Sequence, residues 1–109
     1  SEQAVYDYLK NNNYKNVDFV SQDNEGLQCD IRYTNKKGIV KYVEVKNFDS
    51  GSFFLSKYEY DFGLKNQKDY EIWLVKNKSE IFQIFDFFTN SKYIKNVSEY
   101  IIHLEIANN

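Results

Sequence analysis

Two carboxylates and one amine stand close together in the run GLQCDIRYTNKKGIVKYVEVK, Gly26 to Lys46: Asp30, Glu44 and Lys46. Residues Ile39 to Lys46 alternate as Ile-Val-Lys-Tyr-Val-Glu-Val-Lys. Strand side chains alternate between faces with period two, so Glu44 and Lys46 share one face while Val43 and Val45 take the other. Two hard oxygen ligands hold a Mg²⁺-type ion, and a neighbouring ammonium stabilises developing negative charge or orients an attacking water. Such a set suits divalent-metal-assisted hydrolysis of a phosphodiester.

A β-hairpin must position these groups. Leu27 to Thr34 reads as one strand, Asn35-Lys36-Lys37-Gly38 as its connection and Ile39 to Lys46 as the return. Upstream, EQAVYDYLKNNN places Ala4, Val5, Tyr8 and Leu9 on one face of an amphipathic helix. A first strand follows over Asn16 to Ser21, with Val17 and Phe19 on one side, then a turn at Asp23-Asn24-Glu25-Gly26. Downstream, Asn47 to Ser52 reads as a loop, and the apolar Phe53, Phe54 and Leu55 run into Ser56-Lys57-Tyr58-Glu59, which fits a helix capping box. The second helix is expected from about Lys57 to Asn66, with Gly63 costing on the order of 1 kcal/mol relative to Ala. Tyr70 to Lys76 reads as a buried strand and Ile81 to Phe87 as the next. Thr89 to Asn96 is expected to be a polar connection with one helical turn, and Tyr100 to Ile106 a closing strand. This order predicts an α/β or α+β domain in which one mixed central sheet is flanked by helices and ends in a terminal β pair.

Composition bounds the function. A length of 109 residues suits a single domain, 1–109, and 42% hydrophobic content with 10 Tyr and 9 Phe predicts a globular core. Starting without Met, with a helical pattern almost at Ser1, the chain reads as a domain excised from a longer protein. A net charge of −2 argues against a surface that grips nucleic acid everywhere, so affinity must come from a local patch or a fused neighbour. Lys36, Lys37, Lys41, Lys46 and Lys57 form the candidate phosphate-facing patch, or else a solvated turn. One cysteine excludes an intramolecular disulfide and a Cys-based zinc site, which fits a reducing cytoplasmic compartment. No apolar run is long enough to span a membrane.

With Asp30 entering the second strand and Glu44-Val45-Lys46 closing the third, the chain resembles the PD-(D/E)xK nuclease superfamily. It is similar above all to the domain found at the C-terminus of the plant protein NO VEIN. GLQCDIRYTNKKGIVKYVEVK, FFLSKYE and DYEIWLVKN carry the likeness, with Cys29-Asp30 where the superfamily's name has proline-aspartate. The resemblance implies a restriction-endonuclease-like αβββαβ core. It implies Asp30, Glu44 and the backbone carbonyl of Val45 as ligands of Mg²⁺ or Mn²⁺, Lys46 as the catalytic lysine, and Glu2 on the first helix as a further acid. It also implies DNA as substrate, and a fused or associated ATPase, helicase or methyltransferase module in restriction or phage defence.

Each residue has a plainer reading too. Asp30, Glu44 and Lys46 could form a cross-strand ion pair worth about 0.2 to 1 kcal/mol. Glu2 could be only an acid favoured at a helix N-terminus. Glu59 has a sufficient role in the capping box, although its place in FFLSKYE leaves a function at the cleft open. Cys29 reads as a small filler beside the site, and His103 as neither ligand nor base. The expectation is therefore a divalent-metal-dependent nuclease domain hydrolysing DNA. The alternatives are a catalytically idle module of the same fold that binds nucleic acid or docks to an ATPase, and a homodimerisation domain built on the terminal strands.

Overall fold

The alternation that begins the argument has the consequence its period requires. In the computed structural model Val43 and Val45 are buried on one face of a strand, and Glu44 and Lys46 lie on the other, where their charged ends meet. Residues 1–20, 26–89, 93–97 and 101–106 are described, the last two segments as backbone.

The elements run α1 (Glu2–Asn11), β1 (Lys15–Phe19), β2 (Ile31–Thr34), β3 (Val40–Asn47), β4 (Ser52–Ser56), α2 (Lys57–Lys65), β5 (Tyr70–Lys76), β6 (Glu80–Ile84), β7 (Tyr93–Val97) and β8 (Ile101–Ile106). A five-stranded mixed sheet has the order β1-β2-β3-β5-β6, with β3 and β5 parallel and the other pairs antiparallel. Parallel neighbours need a crossover connection, and β4 with α2 supplies it. A separate antiparallel sheet has the order β4-β8-β7.

Each face of the central sheet has its own core. Val5 and Leu9 of α1 pack on Val17, Ile31, Tyr33, Val43, Val45, Trp73 and Val75. On the opposite face Phe53 and Leu55 of β4 meet Tyr70, Ile72, Leu74, Ile84 and Phe87, with Tyr60 and Phe62 of α2 against them. Glu44 and Lys46 project toward this second face, so α2 and β4 roof the carboxylate and ammonium that the hairpin presents.

The expected mixed sheet between helices is present, and several details differ. β4 was read as loop and apolar approach. Its alternation, Phe53 and Leu55 buried with Phe54 exposed, is hidden in sequence because all three residues are apolar. The terminal pair is in fact part of a three-stranded sheet. Its β8 is hydrogen-bonded to β4 on one side and β7 on the other, so it offers no free edge for the dimer imagined on it. Residues 93–97, expected as a polar connection with a helical turn, are β7. Phe19 does not share the burial of Val17: the β1–β2 register shifts between Lys15 and Asp18, and Phe19 lies at the margin, stacked on Tyr6 at 4.5 Å. The turn at Asp23-Asn24-Glu25 and the side chain of His103 lie outside the described residues. Gly63 is buried because a Cβ there would stand 2.6 Å from the Tyr70 ring and 2.7 Å from that of Phe88. Among the described residues no helix is long and apolar enough to cross a membrane.

Candidate functional site

β2 is shorter than its sequence pattern, and the shortening makes the site. The Asp30 N–H donates to the Val43 carbonyl at 2.8 Å, so the ladder persists to Asp30 and then parts. Val45, two residues further along β3, aims its backbone toward the same side but finds no strand there. The Asp30 carboxylate fills the gap, its Oδ2 accepting from the Val45 N–H at 2.8 Å. In a strand the N–H and C=O of one residue point to one side, so the Val45 carbonyl faces the same opening as the Asp30 carboxylate.

Glu44 is the one buried charged residue among those described, at 2% exposure. Its Oε2 lies 3.2 Å from Lys46 Nζ, and its carboxyl is within hydrogen-bond reach of Asp30 and of Glu59. Lys46 Nζ also donates to Glu59 Oε1 at 3.1 Å and Oε2 at 3.4 Å. Glu59 is at the same time the N3 residue of α2. Its Oε1 accepts from the Ser56 N–H at 2.8 Å, and its own N–H donates to Ser56 Oγ at 3.1 Å, completing both arms of the capping box. A cavity of about 470 Å³ opens over Asp30, Glu44 and Glu59, with Glu2, Gln28 and Cys29 around it and Val20 and Leu27 on its apolar wall.

Three carboxyls face one ammonium here, and their proton affinities reflect it. Burial first, then the charge of Asp30, pushes Glu44 up to about 10 despite Lys46. Burial also raises Asp30, against the hydrogen bond from Val45. For Glu59 burial is outweighed by the Ser56 N–H and Lys46, leaving it below its ordinary value. Burial would lower Lys46, but Glu44 and Glu59 overcome this and raise it. Cys29 is driven up to about 12 by burial and then Glu44, which leaves an inert thiol.

The structure thus brings Asp30, Glu44 and Lys46 together and sets Glu2 at the rim. Glu2 is exposed, without a hydrogen bond to the other acids, and raised by burial and then by Asp30. Glu59 is the site residue to which the sequence assigned only a structural role; its signal was its place three residues after Ser56 in FFLSKYE. The lysine patch does not form one surface. Lys36 donates to the Asn12 carbonyl and lies over the Tyr14 ring, Lys41 pairs with Asp69, Lys57 with Asp61, and Lys46 is inside the acid cluster. The hairpin tip and Lys46 are also at opposite ends of β3, roughly 20 Å apart at about 3.3 Å per residue.

Among the described residues no three carboxyl, thiol or imidazole groups close on one point as a ready-made metal cage. The donor set nevertheless fits a Mg²⁺-type ion. Such an ion keeps several waters and takes one or two carboxylates, with substrate phosphate completing its shell. Asp30, Glu44 and the Val45 carbonyl supply that number of hard oxygens, and the uncompensated negative charge favours a cation.

No curated protein matches the chain. Among solved structures, the Holliday junction resolvase Hjc of the archaeal hyperthermophile Archaeoglobus fulgidus superimposes with a TM-score of 0.64 at 13% identity, covering 94% of this chain and 86% of that one. The fold is accordingly restriction-endonuclease-like. The family model described as Protein NO VEIN, C-terminal, matches residues 1–86. The chain belongs to the family of the NO VEIN C-terminal domain.

Proposed function

We propose that this domain is a divalent-metal-dependent nuclease that hydrolyses DNA phosphodiesters, with Asp30, Glu44 and Lys46 as its working groups. The observation that carries the reading is the buried Glu44 carboxyl held against Asp30 and Lys46 under an open cavity. A stabilising ion pair would need no second and third carboxyl at its centre and no opening above it. The nuclease-like fold, and the DNA junction named for the resolvase it resembles, point to the same chemistry.

A Mg²⁺ or Mn²⁺ ion held by Asp30, Glu44 and the Val45 carbonyl would polarise the phosphate and lower the pKa of a bound water. Lys46, with its ammonium at the cavity floor, is placed to stabilise the charge that develops on the phosphate or to orient the water. Glu59 holds Lys46 from the other side and ties it to the first turn of α2. Glu2, on the rim, faces the outer part of the cavity and would act on water rather than on a buried ligand. The engaged lysines leave little free basic surface, so a fused or associated ATPase, helicase or methyltransferase module would bring the DNA, in a restriction or phage-defence protein of the cytoplasm.

That same shortage of free cationic surface favours the second reading, an idle module that docks to a partner. Plasmid cleavage in Mg²⁺ or Mn²⁺ separates the two: Lys46→Ala is expected to lose at least about 100-fold in rate, the scale for removing one group that stabilises transition-state charge. Equal cleavage by wild type and Lys46→Ala would remove the catalytic assignment, and no cleavage by either would favour the idle module.

A further inference from the structure

Tyr70 opens β5 on the face that looks toward α2. Its side chain is buried, and among the described residues its hydroxyl is the one buried side-chain oxygen or nitrogen without a hydrogen-bond partner. Phenylalanine would fill the same apolar space without that unmet donor. The ring lies against Gly63, where even a Cβ would clash with it, and packs edge-on to Phe62. The fold therefore seats this tyrosine closely while leaving its polar end unused.

Its location gives that end a use. Across the parallel β3–β5 pair Tyr42 is opposite Tyr70 and Glu44 is opposite Ile72, so Tyr70 and Glu44 project from the same face, one alternation apart. After burial, the groups that oppose ionisation of the Tyr70 hydroxyl are Glu44 first, then Glu59, Cys29 and Asp30. The hydroxyl thus sits at the back of the acid cluster, on the side away from the cavity mouth. In the metal-free site Glu44 can share protons with Asp30 and Glu59 and needs no further donor. A charged Glu44 accepts only, and Lys46 approaches it from one side alone.

We propose that Tyr70 is a positioning residue of the metal-loaded site, its hydroxyl donating to the Glu44 carboxylate once that carboxylate is charged and bound to the ion. The role rests on the metal-binding reading above and adds to it the group that orients a ligand from behind. Groups that hydrogen-bond a ligating carboxylate commonly change metal affinity 10- to 100-fold when removed.

The test is Mn²⁺ binding by calorimetry to the 109-residue chain and its Tyr70→Phe variant, with melting of both in the absence of metal. The expected result is about 10-fold weaker Mn²⁺ binding by Tyr70→Phe, with a metal-free melting temperature equal to or above wild type. In a Glu44→Gln background the same substitution should leave residual affinity unchanged. Equal affinities of wild type and Tyr70→Phe overturn the role of Tyr70 and leave the metal site standing. A lower metal-free melting temperature in Tyr70→Phe also overturns it, because the hydroxyl would then have an acceptor without the ion. Failure of the wild type to bind Mn²⁺ removes the metal reading itself, and this role with it.

Discussion

Glu59 carries two tasks on one carboxylate, and they can be separated. Glutamine serves at N3 of a capping box as glutamate does, so Glu59→Gln should keep most of the stability of α2. It would take away the charge that holds Lys46 Nζ. Under the nuclease reading the variant should melt within a few degrees of wild type while metal-dependent cleavage falls about 10-fold, the scale for groups that orient a site. Unchanged cleavage would return Glu59 to a purely structural role. Glu44 makes a separate prediction about pH. Its folded value of about 10 lies above the ordinary 4.5, so the native state keeps a proton that the unfolded chain releases. The resulting stability is full below the unfolded value and is lost as pH rises through the folded one. Metal-free melting temperature should therefore fall between about pH 5 and pH 10, and Glu44→Gln should flatten that fall. A slope that survives in Glu44→Gln would assign the titration elsewhere.

At the scale of elements, α2 is where the fold and the site are joined. Ser56 caps it, Glu59 in its first turn reaches Lys46, and Gly63 in its third lets it lie against Tyr70 and Phe88. Ser56→Ala should cost about 1 kcal/mol through the lost cap. Gly63→Ala sets two effects against each other. Helix propensity favours alanine by about 1 kcal/mol. A Cβ at 2.6 Å from a buried ring instead demands a shift of the helix, at about 1–3 kcal/mol for overpacking. The packing effect is the larger, so chemical denaturation should show Gly63→Ala to be less stable than wild type; a more stable variant would mean that α2 is free to move. Capping was legible in Ser56-Lys57-Tyr58-Glu59 because it is a local pattern. The strand β4 was not, since three adjacent apolar residues conceal an alternation that only burial of Phe53 and Leu55 around an exposed Phe54 reveals.

Considered whole, the molecule places its acid cluster where the central sheet, α2 and the rim of α1 meet, and a ligand there bridges parts of the fold that are far apart in sequence. Binding to the native state alone stabilises by mass action, by about 2.7 kcal/mol at a concentration 100 times Kd. Mn²⁺ is therefore expected to raise the melting temperature of wild type and to leave Asp30→Asn unmoved, in differential scanning fluorimetry at neutral pH. Because the ligating carboxyls must give up protons, the metal-induced rise should grow with pH, opposite in sign to the trend of the metal-free protein. Equal shifts in wild type and Asp30→Asn would place the cation elsewhere.

Much of this protein could be read one residue after another, since period-two alternation, capping pairs and turn residues are local properties of a chain. Those rules put Glu44 and Lys46 on one face, opposed Val43 and Val45 to them, started α2 at Ser56 and made Tyr70 to Lys76 a strand. Pairing distant segments was beyond them. That β2 parts after Asp30 and lends a carboxylate to the Val45 N–H, that β8 lies between β4 and β7, that the lysines of the hairpin turn to Asn12, Tyr14 and Asp69, and that Glu59 reaches Lys46 all depend on which surfaces meet. The reason is energetic: a buried carboxyl or ammonium takes whatever partner the packing leaves within about 3 Å, and the choice is made by apolar burial elsewhere in the fold.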